Sequence, residues 1–176
     1  PLYSSAASDV YKRQVSAAIE RVQKRTDALL NCGGTHRPEW FHRKLGDILY
    51  EGCGVARDEA GLLDALTKVR ELREEFWRDV KVVGTGNRLN QELEKAGRVA
   101  DFIELGEVMI LDALDRRESA GAHFRNEYAT EAGEAKRNDG DWCAVSAWET
   151  RPDGTKVRHS EPLSFSLIDL QVRDYR

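Results

Sequence analysis

The sequence has no stretch of 18 or more apolar residues, so none of its 176 residues reads as a transmembrane helix. Cysteine is scarce: Cys32, Cys53 and Cys143 are far apart, odd in number and form no CxxC pair. That spacing argues against a disulfide scaffold and a zinc ribbon, and leaves buried reduced thiols as the expectation. Only four histidines occur, His36, His42, His123 and His159, and none forms HExxH or an i, i+4 pair. No metal site is expected from them. No GxSxG nucleophile pattern is present. The formal charge is -4 without a basic cluster, which argues against a nucleic-acid partner. Gly84-Thr85-Gly86 suggests a dinucleotide turn, but Leu89 stands where the third glycine belongs and the preceding segment reads as helix. A plain loop is the better reading.

What is present is helical periodicity. The first residue is proline, and Pro1 to Gln14 shows no helical period and resembles translated adapter sequence. Residues 1–14 are therefore read as a non-native or disordered leader, with the natural protein expected to continue upstream of Val15. Apolar steps of three and four then predict four helices. The first runs from about Ser16 to Asn31, with Ile19, Val22, Thr26, Leu29 and Leu30 on one face. The second starts at Pro38 and carries Phe41, Leu45, Ile48 and Leu49. The third starts near Asp58-Glu59, with Leu62, Leu66, Val69, Phe76 and Val80 facing inward. Its Arg70, Glu74 and Arg78 read as a solvated i, i+4 ladder. The fourth, from about Asn90 to Arg117, is apolar around so much of its circumference that packing on two sides is expected.

After Ser119 the pattern changes to polar, glycine-bearing chain. Trp142 to Glu149 alternates, with Trp142, Ala144, Ser146 and Trp148 on one face. Arg151-Pro152-Asp153-Gly154 is a turn signal, and Thr155 to Ser160 returns as a second strand. Leu163, Phe165 and Leu167 alternate in a further extended piece. The expected fold is mainly α: an antiparallel bundle of three to four helices over residues 15–119, then an irregular segment and a small β-hairpin tail over residues 120–176.

One segment is dense in polar character. Arg116 to Arg125 places glutamate, hydroxyl, histidine and arginines around Gly121 at the end of the longest helix. Physically it can satisfy the helix's last carbonyls and dock the chain that follows. Glu118 to Arg125 (ESAGAHFR) resembles the ESRGAHFR-type signature of succinate dehydrogenase/fumarate reductase flavoprotein subunits. Leu72–Gly86, Glu92–Leu114, the run to Trp142 and the closing VRDYR resemble the branch with a dihaem cytochrome b anchor. Ala120 departs from the arginine or cysteine found in relatives.

The resemblance implies the C-terminal part of a flavoprotein subunit of succinate:quinone oxidoreductase. FAD, the flavin-linking histidine and the dicarboxylate site then lie upstream, and no catalytic, cofactor-binding or metal residue is assigned here. By itself the fragment is expected to bind no cofactor and to be inactive. The implied partners are the flavin domain of the same subunit, an iron–sulfur subunit and, indirectly, the membrane cytochrome b anchor. The implied location is peripheral, on the cytoplasmic face of the bacterial inner membrane. Arg117, Glu118, Ser119, His123 and Arg125 become candidates for an interdomain latch bonding to the flavin domain, and Trp142 and Trp148 for tail docking. The alternatives are a stand-alone helical interaction module and the C-terminal domain of L-aspartate oxidase.

Overall fold

The computed structural model describes residues 5–168, 170 and 171, with side chains from Val10 onward. Ten elements follow one another: α1 (Ser5–Asn31), α2 (Pro38–Gly52), β1 (Ala56–Arg57), α3 (Glu59–Asp79), α4 (Gln91–Asp115), β2 (Phe124–Arg125), a 3-10 turn (Asn126–Tyr128), α5 (Asp139–Trp142), β3 (Ala144–Thr150) and β4 (Lys156–Pro162). Packing separates two compact units. The first holds residues up to Glu51 together with Ala65–Glu107; the second holds Gly52–Asp64 and the chain from Val108 on.

The first unit is built from α1, α2, most of α3 and the first two thirds of α4. Phe41 and Phe76 are fully buried and meet edge to face at 5.2 Å. Leu45, Val69, Leu72, Ala96, Val99 and Ile103 complete this core. Close helix approach is possible where side chains are small: Leu45 and Leu49 lie against Gly106 of α4. The loop from Gly33 to Arg37 is pinned to the end of α3. Gly34 donates to Val80 O and His36 to Asp79 O, and a Cβ at Gly34 would collide with the Asp79 carbonyl. Asp79 also accepts from Thr35 N (2.8 Å) and Thr35 Oγ1 and pairs with His36 Nδ1; these bonds hold its carboxyl below the usual range, the His36 contact contributing most.

One buried charge lies in this unit. Glu107 is 3% exposed and accepts from Arg70 Nε (2.8 Å) and Arg73 Nη1. Arg73 also reaches Glu104, so higher positions on α3 meet lower ones on α4 and the two helices run oppositely. Burial alone would raise the Glu107 carboxyl; the two guanidiniums outweigh it and hold it low.

Three expectations for these helices need correction. α1 begins at Ser5, eleven residues before the predicted start, so residues 5–14 are helix; Pro1–Ser4 lie outside the described residues. Ile19 and Val22 are 63% and 67% exposed, and only Thr26, Leu29 and Leu30 of that face are covered. The ladder on α3 is also broken. Arg70 turns to Glu107 across the helix pair, because a buried carboxylate attracts it more strongly than an exposed one at i+4. Finally, α4 ends at Asp115 and is not packed on two sides within this chain: Phe102, Leu105 and Met109 are 42%, 55% and 46% exposed.

The second unit carries the β structure. β3 and β4 form the antiparallel hairpin, with Ser146 opposite Ser160 and Trp148 opposite Arg158. Its turn closes as Arg151 N donates to Thr155 O, with Gly154 at φ +84 and Asp153 Oδ1 accepting from Thr155. Ala144, Ser146 and Trp148 are the half-buried face, as the alternation predicts. Trp142, assigned to the same strand, instead ends the single turn α5, because Asn138 O accepts its backbone N–H. The alternating run beyond Pro162 forms no strand among the described residues. Nothing in the sequence pattern anticipated the two-residue parallel pair β1–β2, which sets Ala56 beside Phe124 and Arg57 beside Arg125.

Candidate functional site

An α-helix leaves its last carbonyls without internal partners. At the end of α4 a side chain satisfies them. Arg125 Nη1 donates to Ala113 O (2.7 Å) and Leu114 O (3.3 Å). Its Nε donates to Glu127 Oε2 at 3.1 Å, and the guanidinium lies over the Tyr128 ring, 5.5 Å from its centre. Arg125 is 2% exposed, so each of these contacts replaces water that the charge has lost. Glu127 extends the chain of contacts, accepting from Glu59 N at 2.6 Å. An acid at the start of α3 suits the helix dipole. Burial raises the Glu127 carboxyl, and the Glu59 amide and Arg125 bring it below the ordinary value.

The neighbouring residues are equally committed. Ser119 is fully buried; its Oγ accepts from Arg125 N (2.8 Å) and donates to Arg125 O (3.1 Å). Glu118, 3% exposed, accepts from Arg116 Nε (3.0 Å) with one oxygen and from Asn138 N (2.9 Å) with the other. Arg116 continues to Trp142 O at 2.8 Å. His123 Nδ1 receives the Arg57 Nη1 proton at 2.8 Å, so its Nε2 carries the hydrogen and donates to Arg116 O at 3.2 Å. Burial, with Arg57, Arg116 and Arg125 close by, lowers the imidazole's pKa against the opposing pull of that carbonyl. His123 is a neutral connector.

The hairpin is tied to the same end of α4. Trp148 Nε1 donates to Asp112 Oδ1 at 2.8 Å, and Arg158 Nε meets Asp115 Oδ2 at 2.7 Å. Trp142 lies near two guanidiniums, Arg116 at 5.7 Å and Arg158 at 4.9 Å.

Of the five latch candidates, four therefore converge, and Arg117 is exposed. The bonds of those four stay within this chain. Sequence reasoning missed Arg57, Glu127, Asp112, Asp115 and Arg158. For the two aspartates a signal existed: two acids in the last turn of a helix oppose its dipole and call for a cationic partner.

Nothing in this arrangement suits bond chemistry. Cys53 is buried, which raises its thiol pKa and keeps it protonated. Among the described residues no group of three His, Cys, Asp or Glu could hold a metal. The residues around Gly84 and Gly86 do not fit a flavin dinucleotide either. They follow helix α3 rather than a core strand, and Asn90 fills the turn, donating to Val83 O and Thr85 O while capping Leu93 N.

A helical unit whose longest helix is capped by an arginine from the following loop and carries a docked hairpin is a supporting domain rather than a reaction centre. The fumarate reductase flavoprotein C-terminal family model matches residues 42–175, and the chain belongs to that family. The succinate dehydrogenase flavoprotein subunit of Bacillus subtilis is 26% identical over 97% of this chain and 28% of its own length. The fumarate reductase flavoprotein subunit of Helicobacter pylori is 30% identical over 97% of this chain and 23% of its own. A solved variant of Escherichia coli quinol fumarate reductase FrdA superposes with a TM-score of 0.74 at 25% identity, covering 88% of this chain and 26% of that one. The chain thus spans about a quarter of the relatives it matches.

Proposed function

We propose that the chain is the C-terminal scaffold of the flavoprotein subunit of a succinate:quinone oxidoreductase, with FAD and dicarboxylate chemistry carried by the preceding part of that subunit. The family match over residues 42–175 carries this reading. The scaffold holds the flavin part of the subunit in place beside an iron–sulfur subunit. The membrane anchor, a dihaem cytochrome b, is reached only through that partner, and the assembly lies at the cytoplasmic face of the inner membrane. No helix among the described residues is long and apolar enough to cross a membrane, which suits a peripheral role.

The latch acquires a definite division of labour in this reading. Glu118, Ser119, His123 and Arg125 hold the end of α4, the following loop and β1 as one piece. Exposed Arg117 is the member left to reach the flavin part. Two experiments test the reading. The gene upstream of Val15 is expected to encode a glycine-rich dinucleotide turn and a flavin-linking histidine; a start codon next to Val15 would overturn it. In the full subunit, Trp148→Ala is expected to lower both the melting temperature and flavin retention, and unchanged values of both would remove the docked-tail role.

A further inference from the structure

Beyond the hairpin the chain presents an apolar edge that nothing in this unit covers. Leu163 N donates to Cys143 O at 2.9 Å, one rung beyond the paired strands. From there to Leu170 the large apolar side chains stand in water: Leu163 46%, Phe165 55%, Leu167 94%, Ile168 74% and Leu170 42% exposed. No charged residue occurs between Pro162 and Ile168. Among the described residues the backbone from Ser164 to Ile168 joins no strand, so its polar groups remain available for a ladder.

A cavity of about 250 Å³ opens beside this run, with Leu163, Phe165, Leu170 and Trp142 among its walls. Two arginines also line it, and both are committed. Arg116 is held by Glu118 and Trp142 O, and Arg137 by Asp139 and Gln171 O. An entering group therefore meets apolar surface and paired charge, which suits an uncharged aliphatic or aromatic side chain and not an anion.

We infer that Leu163 to Leu170, with this cavity, docks an extended, uncharged, apolar segment of the same subunit's preceding polypeptide, which adds as a strand along the edge and places one side chain in the cavity. The inference rests on the function proposed above, because that reading supplies the missing polypeptide. Area selects a segment of the same polypeptide over a separate molecule. A run of this length offers a patch of a few hundred Å², whereas a stable intermolecular interface takes roughly 800 Å² from each partner. A tethered segment needs far less, since linkage holds it at an effective concentration of about millimolar. Left uncovered, an apolar extended edge would also recruit other chains.

The test uses the full-length subunit. Amide exchange is read at Ser164–Ile168, and a photoreactive residue replaces Leu167. Exchange at least about ten-fold slower than in an unprotected chain, with cross-linking into the same polypeptide, is the expected result. Phe165→Asp should return those amides to fast exchange. Unprotected amides would overturn the inference, and so would cross-links to a second copy or to another subunit. Flavin absorbance of the same sample answers separately whether the flavoprotein reading stands.

Discussion

The two units of this chain are stabilised by different physics. The four-helix unit has an apolar centre, Phe41 against Phe76 with aliphatic neighbours, and one buried carboxylate set between two arginines. The unit at the end of α4 has at its centre Arg125, Ser119 and Glu118, whose bonds go mainly to backbone. An apolar core tolerates exchange of one hydrophobe for another of similar volume. A polar centre does not, because removing one partner strands the others without water. The polar unit is therefore expected to be the more sensitive of the two to conservative substitutions.

The sharpest way to break that comparison is a matched pair. Arg125→Met should cost about 3–5 kcal/mol, since it strands Glu127 and the α4 carbonyls. Phe41→Leu should cost about 1 kcal/mol or somewhat more. Denaturant titration of both variants checks this, and equal losses would erase the distinction. Arg125→Lys should recover only part of the loss, because lysine lacks the planar fork.

Next in size is Glu107→Gln, expected to cost about 1–3 kcal/mol. It also carries a pH signature. The Glu107 carboxyl is lowered in the folded state, so its contribution is complete above the ordinary glutamate value of about 4.3 and fades as pH falls through the folded value. Acid unfolding of the variant should therefore show a shallower loss below that value. His123 gives the same sign in a different window. Its folded value is also lowered, so stability is complete above about 6.5 and declines as pH falls below it. His123→Gln should flatten the stability profile there. The smallest effect is expected for Trp148→Phe, about 1 kcal/mol for the lost bond to Asp112. Side-chain NMR of the hairpin should register it while the Phe41–Phe76 contact is unmoved.

The relation of pattern to structure differs between the units in the same way. α2 and its stripe, the inward face of α3 and the hairpin with its Arg151–Gly154 turn were legible, because periodicity and turn chemistry are local. Ile19 and Val22 were misread because an apolar stripe shows what can be buried and not what is. Arg70 was misread because its better partner lies 37 residues away. Within the latch, the sequence identified a cluster of residue types, and the resemblance drew attention to it. The bonds themselves depend on Arg57, Glu59, Glu127 and Asn138, which no spacing rule connects to Glu118 or Arg125.

The sequence by itself determined the helices, the hairpin and the family. These follow from short-range propensities, repeating apolar steps and a run of shared motifs, all of which are written along the chain. Tertiary structure alone decided which charges are buried, which guanidinium closes α4 and which apolar faces stay in water. Those outcomes depend on distances between residues remote in sequence, and a hydrogen bond or a desolvated charge exists only once such distances are fixed.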